Sequence, residues 1–159
     1  AERVAAAPAV PPFYCERSHT NRARSYQHRG LYVDGDGAVF RFQHGRGDQA
    51  LLRVPADSMT EQALLARFAP GRAPVDRVPA AEMARRYAQV LEARAGTQSP
   101  RQRRGADMGA TVRRCFVPDE GGIYREVPLR QTGDWESRNT APAAAELSAW
   151  LDSLAMRAP

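Results

Sequence analysis

The residues best suited to chemistry in this 159-residue chain lie in one run, HRGLYVDGDGAVFRFQHGRGD, residues 28–48. It holds His28 and His44, with Asp34 and Asp36 between them. Imidazole and carboxylate together make a donor set for a divalent cation. The spacing does not make a calcium loop. An EF-hand needs oxygen donors at alternating positions, glycine at the sixth and an acid at the twelfth. Counted from Asp34, the fifth, sixth and twelfth places hold Ala38, Val39 and Gly45. Asp-Gly repeated between two apolar alternations is the chemistry of a hairpin turn. With Gly35 to Gly37 as the loop, Tyr32 falls opposite Phe40, Gly30 opposite Phe42, and His28 opposite His44. The metal question therefore moves to His28 and His44, with His19 or Asp48 as a third donor.

Nucleophilic and phosphate chemistry have less footing. The chain has no GxSxG elbow and no glycine-rich phosphate loop. Arg46-Gly47-Asp48 spells an integrin tripeptide, which an arginine- and glycine-rich chain produces by chance. Cys15 and Cys115 are the only cysteines and have no zinc-ligand spacing. They are expected to form one disulfide, which leaves no thiolate for catalysis. Closing so long a loop contributes on the order of 4–5 kcal/mol in the chain-entropy description.

Two polar segments carry residues of the kind that meet a protein partner. Residues 96–109, GTQSPRQRRGADMG, lack periodicity and read as an exposed loop carrying Arg101, Arg103 and Arg104. Residues 131–138 contain TGDWES, in which Asp134 and Glu136 flank Trp135. A tryptophan between two acids is either a partner anchor or a core plug with its acids in water. The arginines would suit an acidic cleft on the partner.

The elements that must position these residues follow from apolar periodicity. GLYVD and AVFRFQ form the first hairpin, with Tyr32, Phe40 and Phe42 on one side and Leu31, Val33, Val39 and Arg41 on the other. Gly30 leaves room for the Phe42 ring. A short ALLRV run is a candidate third strand. Ser58 and Glu61 fit a capping box before a helix with Leu64, Leu65 and Phe68 on its apolar face, ended by Pro70-Gly71. A second helix runs from about Ala80 to Ala95, with Met83, Tyr87, Val90 and Leu91 on one stripe and Gly96 as its stop. ATVRRCFV and IYREVPLR make a second hairpin around PDEGG, with Pro128 marking an edge or a strand end. A closing helix follows Asn139 or Thr140, with Pro142 in its first turn and Leu147, Trp150, Leu151 and Leu154 along one stripe. This order predicts an α+β fold. It would have an antiparallel sheet of four to five strands built from two hairpins, about three helices on one face, and one disulfide.

Composition bounds the function. Hydrophobic content of 43% and charged content of 26% describe one globular domain, here residues 13–159 after an Ala/Pro-rich extension at 1–12. No apolar run is long enough to span a bilayer. All 23 basic residues are arginine and the formal charge is +5, but the arginines are scattered among 18 acids with no basic, aromatic-interleaved face. That argues against nucleic acid as a partner. The chain opens on Ala without a methionine, as a mature protein does after a signal peptide is removed.

The resulting expectation is a periplasmic or secreted bacterial binding protein of inhibitor or immunity type. It would act through loops on a disulfide-stapled scaffold, without catalysis or cofactor, against a toxin, a lytic enzyme or an envelope component. Two alternatives stand beside it: a metal-binding protein or metal-dependent enzyme using His28 and His44, and a structural subunit of an envelope assembly.

Overall fold

The computed structural model describes residues 10–23, 26–47, 55, 57–68 and 73–157. In chain order its elements are β1 (Tyr14–Asn21), β2 (Gln27–Val33), β3 (Ala38–His44), α1 (Glu61–Arg67), β4 (Asp76–Arg77), α2 (Ala80–Arg94), β5 (Gln102–Arg103), β6 (Ala110–Pro118), β7 (Tyr124–Gly133), β8 (Trp135–Arg138) and α3 (Pro142–Arg157). The eight strands form one antiparallel sheet in the order β4-β3-β2-β1-β6-β7-β8-β5. The α+β class and the disulfide are as expected, but the sheet has more strands than two hairpins supply.

The first hairpin has the expected register, with Tyr32 opposite Phe40, Gly30 opposite Phe42 and His28 opposite His44. Asp34 builds its turn: the Oδ1 atom accepts from the amides of Asp36 and Ala38 at 3.0 and 2.9 Å. Gly37 holds φ +85°, and a Cβ there would meet the Val78 carbonyl at 2.3 Å. Gly30 serves a different neighbour from the one expected. A Cβ there would strike the Arg17 carbonyl of β1 at 2.1 Å, so the glycine admits β1, not the Phe42 ring.

β1 is the strand that joins the two hairpins. Its register sets Cys15 directly opposite Cys115 on β6, and the two are bonded. The disulfide therefore links two central neighbours and does not pin an arm laid across the sheet. Just before β1, Val10 packs against the core, so the Ala/Pro-rich lead-in is not wholly unpacked.

Helices cover both faces, contrary to the expectation of one. Leu31, Val33, Val39, Cys15, Cys115, Val127 and Leu129 pack against Met83 and Val90 of α2 and Leu147, Trp150, Leu151 and Leu154 of α3. On the reverse face Tyr14, Tyr32, Phe42, Phe116 and Tyr124 pack against Leu64 and Phe68 at α1. The Phe68 and Tyr32 rings stack at 4.1 Å. Thr60, not Ser58, caps α1, its hydroxyl accepting from Ala63 N at 3.1 Å. Glu61 is thereby left to accept from the Tyr14 hydroxyl at 3.0 Å.

Gly96 follows α2 without a left-handed φ; a Cβ there would meet Asn139 Oδ1 at 2.2 Å. Asn139 Nδ2 donates to the Ala93 and Pro128 carbonyls at 2.8 and 3.0 Å, and its Oδ1 accepts from Ala141 N, so one side chain joins α2, β7 and α3. Pro128 lies in an interior strand, where a register shift between Arg113 and Arg114 accommodates it. The ALLRV run, Asp48 and the Pro70-Gly71 stop lie outside the described residues.

Candidate partner-binding surface

The two segments singled out as polar loops meet at one edge of the sheet. Residues 96–109 are not an irregular loop throughout: β5 pairs with β8, Gln102 opposite Glu136 and Arg103 opposite Trp135. Because β5 is two residues long and fully exposed, it reads in sequence as loop. An edge strand this short offers little backbone for another chain to pair with, so recognition at this edge falls to its side chains.

The six residues expected here divide into two groups. Asp134 anchors the segment before β6. Its carbonyl accepts from Arg104 N at 2.8 Å, and its Oδ1 accepts from Met108 N at 2.9 Å. Arg104 and Glu136 pair with each other at 3.3 Å. That leaves Trp135, Arg101 and Arg103 facing outward. The Arg101 and Arg103 guanidinium carbons lie 4.8 and 5.7 Å from the centre of the Trp135 ring. Trp135 keeps 37% of its surface exposed, so it is not a core plug. Beside it, on the α1 side, opens a cavity of about 530 Å³ lined by Trp135, Arg101, Arg22, Asp107 and Gln131, and the α3 side of the same edge carries another of about 650 Å³. Cations held over an exposed indole form an aromatic platform with positive flanks.

The histidines occupy a different place. His28 and His44 stand opposite each other as expected, with ring centres 6.0 Å apart and both rings buried. Their surroundings do not suit a cation. His44 donates from Nε2 to the Arg67 carbonyl, and His28 Nδ1 lies 2.7 Å from Thr20 Oγ1. The nearest carboxylate, Glu16, sits 3.9 Å from His28 Nε2 but is held by Arg67 at 3.3 Å and Arg114 at 2.6 Å. His19 is on the opposite face of β1, with its Nδ1 2.8 Å from Thr111 Oγ1, and cannot join the pair. Among the described residues no group of three metal-ligating side chains converges.

This cluster is the feature that sequence reasoning missed. Glu16 is fully buried, and Arg67 and Arg114 are nearly so. Burial raises its carboxyl pKa, but Arg114 and Arg67 together with His28 outweigh that and hold it at about 2. Burial lowers His28 to about 4, helped by the two arginines and opposed by Glu16. At neutral pH the imidazole is therefore uncharged, and the arginines alone hold the carboxylate. Arg114 also reaches Glu126 at 3.3 Å. The arrangement is a buried charge network inside the α1 face, in which His28 Nε2 has no hydrogen-bond partner among the described residues.

No family model, curated protein or solved structure matches this chain.

Proposed function

We propose that this chain is an exported binding protein of inhibitor or immunity type. In this reading it engages an acidic segment of a protein partner through the β5–β8 edge and has no catalytic step of its own. The observation that carries the reading is Trp135, half-exposed between Arg101 and Arg103 beside an open cavity. Tryptophan and arginine are the side chains most often found at the energetic centre of protein interfaces. A disulfide between central strands supports an oxidising compartment, periplasmic or secreted. The imidazole pair is buried, with His28 Nδ1 against the Thr20 hydroxyl and His44 Nε2 on the Arg67 carbonyl.

A photo-crosslinking residue at Ala23, exposed on the rim of the Trp135 cavity, tests the proposal in the native host. The expected product is one enzyme or toxin, captured by the wild-type edge and lost when Trp135→Ala or Arg103→Glu is added. The captured enzyme should be inhibited stoichiometrically by the purified chain. A multi-subunit envelope complex would favour the structural-subunit reading instead. Capture that ignores both substitutions would remove this edge from consideration.

A further inference from the structure

Across the middle of the sheet, on the α3 side, four arginines stand in one transverse row. Arg17 on β1 is the register partner of Arg113 on β6, Arg113 of Arg130 on β7, and Arg130 of Arg138 on β8. Like charges directly opposite one another destabilise a sheet, so such a row calls for negative charge. One end has it: Asp152 of α3 takes Arg17 and Arg113 together, each Nε 2.7 Å from its Oδ1. The other end does not. Among the described residues neither Arg130 nor Arg138 has a carboxylate partner, and both side chains are exposed.

These two arginines line the groove of about 650 Å³ between α3 and the sheet edge. Its α3 wall is made of small side chains, Ala145, Ser148 and Ala149, between Pro142 and Asp152. Glu136 lies at one end and Asp152 at the other. The volume is that of a small-molecule site. A carboxylate at each end keeps the positive potential local, which fits one acid group and repels an extended polyanion. The paired forks of two arginines match the geometry of a carboxylate or phosphate.

We infer that this groove binds a small organic anion, its acid group held by Arg130 and Arg138 and its apolar part lying along Ala145 and Ala149. The site lies on the opposite face of the β5–β8 edge from Trp135: the cavity at Trp135 is lined by Thr20 and Ala110, which lie on the α1 side of the sheet.

Calorimetric titration of the intact chain with octanoate, inorganic phosphate and a short single-stranded oligonucleotide tests this. Octanoate should bind saturably at one site and phosphate more weakly at the same site. Arg130→Gln/Arg138→Gln should weaken both by about tenfold or more, and should fold at least as stably as the wild type because it removes a repulsive pair. Ala145→Phe, at an exposed position on the α3 wall, should reduce octanoate binding and spare phosphate. Trp135→Ala should change neither, which separates this site from the Trp135 face of the edge. Failure of both small anions to bind, or equal binding by the arginine double variant, would overturn the inference. An oligonucleotide that displaces octanoate would overturn the small-anion assignment.

Discussion

Glu16 on β1 and Arg114 on β6 are direct cross-strand partners, and their side chains meet at 2.6 Å in the interior of the α1 face. With Arg67 at 3.3 Å on the other carboxylate oxygen, one buried anion is shared by two cations from elements far apart in the chain. Removing the anion leaves two buried guanidinium groups facing each other. Glu16→Gln should therefore cost about 3–5 kcal/mol in urea unfolding, the usual effect of breaking a buried pair from one side. Glu126→Gln, which removes only the outer partner of Arg114, should cost about 1 kcal/mol or less. Equal effects of the two substitutions would show that the network is not organised around Glu16.

The same cluster sets the acid limb of stability. His28 is depressed to about 4 in the fold, below its usual 6.5, so the unfolded chain binds more protons between those values. Stability then falls as pH drops from about 6.5 to 4. Glu16, held at about 2 against a usual 4.5, extends the loss from about 4.5 downward. Each contribution is a few kcal/mol at most, a tenfold change in proton affinity being worth about 1.4 kcal/mol. In chemical denaturation across this range, His28→Gln should flatten the upper part of the slope and leave the lower part in place. An unchanged slope between pH 6.5 and 4 would remove His28 from the account.

The disulfide joins residues 100 positions apart. Reduction, or Cys15→Ala with Cys115→Ala, should lower the unfolding free energy by about 2–4 kcal/mol, the usual yield of a disulfide and below the chain-entropy figure for so long a loop. Titration of thiols in denaturant without reductant should find none, since the described residues hold no free cysteine.

The two tryptophans differ in a way that fluorescence reads directly. Trp150 is 5% exposed under Arg86, and Trp135 is 37% exposed. Acrylamide should quench one emission component and spare the other, and Trp135→Phe should remove the quenchable one. Arg101→Ala with Arg103→Ala should increase the quenching of Trp135 while changing stability by less than about 1 kcal/mol, as exposed substitutions do. Unaltered quenching in that double variant would mean the guanidinium groups do not cover the indole.

What the sequence by itself determined was local. The first hairpin and its register followed from Asp-Gly turn chemistry and the period of two. α2 and α3 followed from their 3.6-residue stripes, and the disulfide from a cysteine count of two. The hairpin and helix signals need only neighbours a few residues away, and the cysteine pairing needs only that each cysteine has one possible partner in the chain. β1 escaped because YCERSHTN alternates into both faces of the sheet and meets Arg67 and Arg114 there, so Glu16 looks like a surface acid until distant arginines arrive. Tertiary structure alone also decided the partner edge, since β5 is too short to carry a period and exists only against β8. It decided the arginine row as well. Alternation from Val127 and Leu129 would turn Arg130 away from α3, but the register shift beside Pro128 brings Leu129 and Arg130 into the same groove. Periodicity reports which side chains share a strand face. Charges and bulges are settled only when strands from elsewhere in the chain pack beside them.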